Sequence, residues 1–413
     1  MVKLEAILEL VLIKRQKGRR MQLTLNEENA LLRQELKEYF ANLLSDEVRR
    51  ELAEEGETGG KATRRVVRQM GSDGILGLGW PKEYGGQDRG PIANYLLYSE
   101  AYKANAPLPM ITLTTVAPTI MALGTQEQKD YFLPKILAGE LVFSIGYTEP
   151  EAGTDLASLK TSAKRDGDEL VINGNKIFTS GALGADWIWL AARTNPDVPK
   201  HKGISLILVP TTAEGFSATP INTVGGVGTT ATYYDNVRVP VSNVIGNLDE
   251  GWRLITTQLN HERVGLAAYS GIAERMVEDA TDWVADQSTP TGQPYTGLPW
   301  VRTTLARATA LANAMSLMNW KMVEATASGT VDPGQASAAK VFATEAAIEI
   351  YRLLLELVGS AGMNISSVPR SLTDGRLALM NLSAQINTFG GGVAEIQKEI
   401  VAWTTLGMTR GTR

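Results

Sequence analysis

The chain has 413 residues, of which 44% are hydrophobic and 21% are charged, and its net charge is −5. This length predicts two or three domains, and the slightly acidic balance gives no indication of a nucleic-acid partner. The sequence contains no cysteine, which excludes disulfides, thiolate catalysis and zinc–thiolate sites and fits a reducing cytoplasm. Only His201 and His261 offer imidazoles, so a multi-histidine metal centre is not expected.

Residues 1–20 are interpreted as an N-terminal extension. A short apolar stretch precedes basic residues, which is the reverse of the order in a secretory signal, and there is no small-residue cleavage site. The segment is an upstream start or a dangling amphipathic helix before a natural start at Met21, or else a helix that binds a membrane surface or a partner. No apolar run in the sequence reaches the roughly 18 residues that an integral membrane span needs.

Three regions with different hydrophobic patterns follow. In residues 21–142 apolar residues recur at helical spacing, which predicts a helical domain. Residues 143–247 contain short β-rich runs separated by Gly, Asp, Asn and Pro, which is the pattern of an antiparallel barrel or sandwich. Residues 248–413 return to an Ala-rich helical pattern that favours long, closely packed helices. The predicted fold class is therefore α+β, with a β domain between two helical domains. The β-rich runs are LVFSIGYT, DELVINGNKIFT, DWIWLAART, GISLILVP and ATYYDNVRVP.

Two runs in the predicted β domain are candidates for ligand binding. The first, YTEPEAGTDL at residues 147–156, joins a strand-like segment to a loop rich in Gly, Pro and small hydroxyl residues. Its backbone N–H groups and the hydroxyls of Thr148 and Thr154 suit a polar, anionic ligand. The second, NGNKIFTSGA, ends in an aromatic and two hydroxyl residues. Taken alone, this second run is equally consistent with a core phenylalanine at the end of a strand.

Both runs resemble the flavin-binding signature of the acyl-CoA dehydrogenase family. The resemblance extends from about Met21 to the C-terminus and includes GWPKEYGG at residues 79–86. That family has an N-terminal helical domain, a middle β domain and a C-terminal four-helix bundle, in agreement with the hydrophobic patterns. The resemblance implies an FAD cofactor, and it implies cofactor contacts from Tyr147, Thr148, Thr154, Phe178, Thr179 and Ser180.

The resemblance also implies a place for most of these residues. Thr148 is expected nearest the pyrimidine edge of the flavin, and Thr154 at a phosphate of the cofactor or of CoA. Phe178 occupies the family's aromatic position beside the flavin. Thr179 or Ser180 then takes the hydroxyl position near the N5 atom, which accepts the hydride.

The carboxylate that most family members use as a base is missing from its usual position. Dehydrogenation of an acyl-CoA requires a base for the α proton and donors for the thioester oxygen. Most members take this glutamate from a C-terminal segment just before an Ile-Gln pair. In TFGGGVAEIQKEI, alignment on Ile396–Gln397 places Gly391 there, and Glu395 is expected to project elsewhere. The resemblance implies that the Gly391 N–H donates to the thioester oxygen; the alternative is a flexible helix N-terminus.

A second location for the base is known in a minority of the family. It matches Glu262 in the run LNHERVGLAAYSG, and the resemblance therefore implies Glu262 as the α-proton base. Arg263 is expected to orient the site or to tune its electrostatics. His261 is expected to pack against the site or to support its catalytic residues; the alternative is a proton shuttle. The alternative for a Glu-Arg pair on a helix is an ordinary solvated surface.

The half of the site that would hold the ADP part of FAD departs from the family pattern. In homo-oligomeric members a neighbouring subunit supplies Arg-x-x-Phe-Gly and Gln-x-x-Gly-Gly motifs. Here the first motif is absent, and the second reads ELVGSAG, with Glu356 for the glutamine and Ser360 for the second glycine. A carboxylate facing a pyrophosphate is repulsive. The resemblance therefore implies a heteromer, in which a related beta-type subunit supplies these contacts and there are fewer FADs than chains; a homo-oligomer is the alternative.

TFGGG, NHER and a C-terminal LGMTR together resemble the alpha-type subunits of actinobacterial heterotetramers that dehydrogenate CoA thioesters of steroid side chains. The implied function is FAD-dependent α,β-dehydrogenation of a bulky branched or steroid-type acyl-CoA. An electron-transfer flavoprotein is the expected electron acceptor. Two alternatives are a flavin oxidase or monooxygenase on the same fold, and a non-catalytic subunit that completes the FAD site of a partner.

Overall fold

The computed structural model describes residues 25–55, 59–226, 228–256, 258, 270–363 and 372–409. The N-terminal part of these residues is helical. Its helices are α1 (Glu27–Leu43), α2 (Asp46–Glu55), α3 (Lys61–Ser72), α4 (Gly90–Ala104), α5 (Ala117–Leu123) and α6 (Gln126–Leu137).

Apolar residues at helical spacing and side-chain caps explain these helices. In α1, Leu32, Leu36 and Phe40 recur every four residues and are buried on one face. At the start of α6 the side chain of Thr125 accepts from the amide of Gln128, and the Gln128 side chain bonds the amide of Thr125 in return. The Gln128 amide group also donates to two carbonyls of the middle domain, at 2.7 and 2.9 Å. The cap of α6 therefore also attaches the helical domain to the sheet.

The middle region forms an eight-stranded sheet with the order β6-β7-β3-β2-β4-β5-β8, and β1 pairs with β4 off this path. The β1–β4 pair is parallel, whereas the ladders that join β2 to β3, β3 to β7, β4 to β5, β5 to β8 and β6 to β7 are antiparallel. The antiparallel prediction thus holds for these ladders. It fails at β4, which pairs in parallel with β1 and, through Ser162 and Arg193, with β2. The strands are β1 (Phe143–Gly146), β2 (Ser162–Asp166), β3 (Glu169–Lys176), β4 (Trp187–Arg193), β5 (Ile204–Pro210), β6 (Phe216–Ile221), β7 (Thr229–Pro240) and β8 (Val244–Ile245).

Strand β4 is buried on both faces, and its alternation separates two cores. Trp189 and Ala191 belong to the core that also contains α1 and α4 residues. Ile188 and Leu190 belong to a second core inside the β domain. Successive side chains of a strand point to opposite faces, so one strand serves both cores.

The C-terminal region is again helical, beginning with residues 251–256 and Gln258. Its core contains Met315, Ile350 and Leu354, and Lys103 of α4 pairs with Glu274 of α7 at 2.6 Å. The predicted succession of helical, β and helical domains is confirmed. None of the described helices has the length and apolar composition of a membrane span. The remaining helices are α7 (Ser270–Ala285), α8 (Pro299–Ala327), α9 (Pro333–Val358), α10 (Leu377–Ser383) and α11 (Ala394–Thr404).

Candidate functional site

The two segments singled out in the sequence lie side by side at one end of the sheet. The amide of Ile177, directly after β3, donates to the carbonyl of Thr148, which follows β1, at 2.9 Å. Thr148 is half-buried, and Thr154 further along the same loop is exposed. The loop after β1 and the end of β3 therefore form one continuous rim on which hydroxyl groups are accessible.

A buried ion pair lies beneath this rim and was not predicted from the sequence. Lys176, the last residue of β3, has no exposed surface. Its Nζ lies 2.8 Å from Oε1 of Glu149 and donates to the carbonyl of Tyr147 at 3.0 Å. Thr148 is therefore flanked on both sides by residues that bind the same ammonium group. A sequence signal existed, because Leu170 and Ile172 point inward and a period of two continues to Lys176.

The electrostatics of this pair depend on burial and on backbone donors. Burial lowers the pKa of Lys176 to about 8, although the Glu149 carboxylate favours the ammonium form. Burial alone would raise the pKa of Glu149, but the Lys176 ammonium and further hydrogen bonds outweigh it and hold that pKa below its usual value. The carboxylate also accepts the amides of Lys160 and Thr161 at 2.6 and 2.8 Å. Glu149 is thus stabilised as an anion inside the protein.

Phe178 combines an unusual backbone with an exposed aromatic side chain. Its φ is 60°, in the left-handed region that bulky residues rarely adopt. Its side chain is 58% exposed, although Thr179 next to it is fully buried. The exposure excludes the interpretation of Phe178 as a core residue. Backbone strain beside an accessible aromatic face is typical of a binding site.

The two hydroxyl residues after Phe178 have different environments. The Oγ1 of Thr179 is buried 3.3 Å from Oγ1 of Thr232, and the Thr179 carbonyl accepts from the Thr230 hydroxyl at 2.5 Å. Ser180 is half-buried, and its Oγ donates to Oγ1 of Thr229 at 3.1 Å. The geometry therefore favours Ser180 as the accessible hydroxyl, while Thr179 holds this turn against β7.

The side chain of Tyr147 belongs to a buried hydrogen-bond network. Its hydroxyl donates to Oε1 of Gln258 at 2.6 Å and accepts from Nε1 of Trp189 at 3.1 Å. The amide of Gln258 donates in turn to the Thr119 hydroxyl at 3.0 Å. The Tyr147 ring, which is only 8% exposed, therefore supports the loop from inside. The network joins the helical domain, the sheet and the helix that begins the C-terminal region.

The triple-glycine segment forms a turn immediately before α11. Gly391 and Gly392 have φ values of 65° and 109°, which favour glycine. The buried Lys340 of α9 donates to the carbonyl of Gly392, and a Cβ at this position would clash with the Gln397 amide. Glu395, in the first turn of α11, is exposed. The turn is therefore anchored to its neighbours, and it carries no carboxylate at position 391.

Two of the three predicted catalytic residues, Glu262 and Arg263, lie outside the described residues, and so does the neighbouring His261. The described residue closest before them is Gln258, which is helical and buried.

Two further features of the described residues lie apart from this rim or concern metal binding. In the part of the chain that the structure describes, no three His, Asp or Glu side chains are grouped as metal ligands would be. An open groove of about 710 Å³ lies along α3 and contains none of the motif residues. It is lined by Gly59, Gly60, Lys61, Arg64, Arg65, Arg68, Gln69 and Ser72.

A strained aromatic and accessible hydroxyls stand at the end of a sheet that lies between two helical regions, and a glycine turn precedes the last helix of the second. Family models cover all three regions. The acyl-CoA dehydrogenase N-terminal domain matches residues 26–140, the middle domain 144–237 and the C-terminal domain 249–406. The chain belongs to the acyl-CoA dehydrogenase family and is an oxidoreductase that dehydrogenates acyl-CoA thioesters.

Similar proteins extend over nearly the whole chain. Acyl-CoA dehydrogenase FadE26 of Mycobacterium tuberculosis (strain ATCC 25618 / H37Rv) is 47% identical over 402 residues, 95% of this chain and 100% of that protein. FadE29 of the same organism is 45% identical over 401 residues, with the same shares covered. Among solved structures, the Tcur3481-Tcur3483 steroid ACAD has a TM-score of 0.89 and 51% identity, covering 95% of this chain and 100% of that one. The ChsE4-ChsE5 complex from Mycobacterium tuberculosis has a TM-score of 0.88 and 46% identity, with the same coverage.

Proposed function

We propose that this chain binds FAD and catalyses the α,β-dehydrogenation of a bulky branched or steroid side-chain acyl-CoA, the first step of β-oxidation. The observation that carries the proposal is the exposed, strained Phe178, which directly follows the Ile177 amide that binds the Thr148 carbonyl and whose own carbonyl accepts the Ser180 amide. An isoalloxazine ring fits such a rim, because it has an apolar face and a hydrogen-bonding edge. When bound, FAD supplies the acceptor for the β hydride.

Each residue of the rim then has a defined task. Thr148 hydrogen-bonds the pyrimidine edge, Ser180 hydrogen-bonds the region of N5, and Phe178 covers part of the ring. Thr179, whose side chain is buried, holds the turn that presents Ser180. Thr154, which is exposed at the loop, suits a phosphate of the cofactor or of CoA. Tyr147 contributes through its backbone and through the buried network that holds the loop.

The proton acceptor in this proposal is Glu262. Its carboxylate takes the α proton, and the electron pair of the broken C–H bond forms the new double bond as the β hydride departs. Arg263 orients this carboxylate. The N–H of Gly391 donates to the thioester oxygen, where negative charge develops. The products are the enoyl-CoA and a protonated glutamate, and the β hydride with its two electrons would reside on the bound cofactor.

Two described features support this choice of base. Gly391 offers no carboxylate, and the nearby Glu395 is exposed on α11. Gln258, four residues before Glu262, is buried against the loop of the first motif through Tyr147.

The substrate class follows from the glycine turn and from the relatives. A glycine at position 391 opens volume over the substrate that a glutamate side chain would fill. One of the solved relatives is named a steroid ACAD. A thick, ring-bearing acyl group is therefore the substrate that we propose, with an electron-transfer flavoprotein as the electron acceptor.

We also propose that the chain is the alpha-type subunit of a heterotetramer with a related beta-type subunit. Glu356 and Ser360, which replace the glutamine and glycine of the family motif, are exposed near the end of α9. The names of two solved relatives each join two proteins, Tcur3481 with Tcur3483 and ChsE4 with ChsE5. A neighbour with an intact motif would complete the adenine side of the FAD site.

The decisive experiment is reductive titration of the native complex without oxygen. A steroid side-chain CoA ester should bleach the visible flavin band faster than a short straight-chain ester does. Glu262→Gln should retain FAD but slow bleaching by about 10²–10⁴-fold, as expected for loss of a general base. Glu395→Gln, which removes an exposed carboxylate, is the matched control and should behave as the wild type.

Two outcomes would favour the alternatives. Unchanged turnover of the Glu262→Gln complex would make this chain a non-catalytic subunit. Rapid reoxidation of the reduced flavin by air would indicate an oxidase or monooxygenase.

A further inference from the structure

We infer that Lys176 and Glu149 are positioning residues for the flavin, because their buried ion pair fixes the peptide that carries Thr148 against the end of β3. This inference rests on the proposed function, since it assumes that Thr148 contacts the cofactor. The proposed function assigns no role to the two buried charged residues beneath the rim, whereas this inference assigns them the positioning of Thr148.

The hydrogen bonds show how the loop is held. Two consecutive residues, Lys176 and Ile177, bind three consecutive residues of the loop. The Lys176 ammonium binds the Tyr147 carbonyl at 3.0 Å and the Glu149 carboxylate at 2.8 Å, and the Ile177 amide binds the Thr148 carbonyl at 2.9 Å. The backbone on both sides of Thr148 is thereby fixed.

The other side of the loop is fixed by the same carboxylate. Glu149 accepts the amides of Lys160 and Thr161, which lead into β2, at 2.6 and 2.8 Å. The loop between these contacts and β3 cannot shift unless a charge-assisted hydrogen bond is broken. A hydroxyl held in this way binds a ligand without the cost of ordering the loop.

General stability does not explain a buried ion pair at this place. The free-energy penalty of removing two charges from water is about as large as the stabilisation from their mutual attraction. Neutral groups of similar size therefore often stabilise a fold equally well. Charge-assisted hydrogen bonds, however, are shorter and stronger than neutral ones, so they resist displacement of the groups that they join. The pair is therefore best explained by the accuracy with which it places Thr148.

The same motif provides a matched control on the surface. Lys160 and Glu151 form an ion pair at 2.5 Å, but both side chains are more than 70% exposed, at 74% and 73%. The two pairs contain the same residue types and differ in burial and in contact with the Thr148 peptide. Neutralising the surface pair tests the effect of charge alone.

The test compares two double variants of the native complex, Lys176→Met with Glu149→Gln, and Lys160→Met with Glu151→Gln. FAD affinity is measured by recovery of flavin fluorescence on dilution, together with the visible flavin spectrum and the melting temperature. The buried double variant should fold, bind FAD at least about tenfold more weakly and show a shifted flavin band, because Thr148 is no longer held in place. The surface double variant should match the wild type.

The inference would be overturned by a folded buried variant whose FAD affinity and spectrum match the wild type. It would also be overturned if the surface variant weakened FAD equally, or if the buried variant failed to fold, since the pair would then serve the fold itself. A wild-type complex without FAD would refute the proposed function instead. Normal FAD binding by the wild type and the buried variant alike would refute only the positioning role.

Discussion

At the scale of single residues, the site depends on backbone conformations that few residues tolerate. Phe178 has a positive φ of 60° without being glycine, and Gly391 and Gly392 have positive φ values of 65° and 109°. The first is strained, which a binding loop tolerates when its surroundings hold it. The other two are relaxed only because they lack a Cβ. These positions therefore respond differently to substitution.

Gly392→Ala is expected to destabilise the glycine turn. The new Cβ would meet the Gln397 amide, and a φ of 109° is unfavourable for alanine. We expect the free energy of unfolding to fall by roughly 2 kcal/mol or more in urea titrations, combining backbone strain with overpacking. Gly292→Ala is the control, because Gly292 has a φ of 82° but open space around it. Equal stability of the two variants would show that residue 392 is not packed as described.

The Lys176 ammonium should make stability depend on alkaline pH. Burial lowers its pKa in the folded state to about 8 from the usual 10.5, so the unfolded chain binds more protons between these values. Stability contributed by this group therefore rises as pH increases across that window. Relative to the Lys176→Met, Glu149→Gln double variant, the wild type should gain roughly 1–3 kcal/mol in urea titrations from pH 8 to 10.5. Buried tyrosines such as Tyr98 affect both proteins alike. A constant or shrinking difference would contradict the prediction.

At the scale of elements, apolar runs predicted strands well where both faces are buried. GISLILVP became β5 and DWIWLAART became β4, since continuous apolar residues fit a doubly buried strand. The strands β2, with sequence SAKRD, and β6, with sequence FSATPI, were not predicted. β2 carries three charged residues, and β6 is an edge strand that contains a proline. β2 lacks the apolar alternation by which a half-buried strand is recognised, and in β6 this alternation ends after four residues at the proline.

The sequence identified those parts of the candidate site whose residues lie together in one motif. Thr148 and Phe178 stand in motifs, and the structure places their segments in contact. The Lys176–Glu149 pair joins residues 27 positions apart, and no local pattern specifies such a pairing. The choice between Thr179 and Ser180 likewise needed the position of β7, because the burial of Thr179 is a tertiary property.

At the scale of the whole molecule, polar contacts tie the helical domains to the sheet at several points. Arg64 of α3 pairs with Asp186 at 2.8 Å, and Gln258 joins the start of the C-terminal region to Tyr147. The rim of the site thus receives support from all three regions. The adenine side is different, because Glu356 and Ser360 are exposed rather than supported by this chain. We propose that a partner subunit completes the adenine side of the site.

FAD content tests this asymmetry. The native complex should contain about one FAD for every two chains, because one subunit type holds the flavin and the other completes the adenine side of the site. The measurement is flavin absorbance per chain in a complex whose mass is determined by light scattering. The separately produced chain should bind FAD weakly, since no partner motif completes the site and a second copy of this chain would bring the exposed Glu356 to the pyrophosphate. Adding the beta-type subunit should restore tight binding, whereas adding albumin as a control should not. One tightly bound FAD per chain in a homo-oligomer would refute the heteromer, because this chain would then supply both halves of the site.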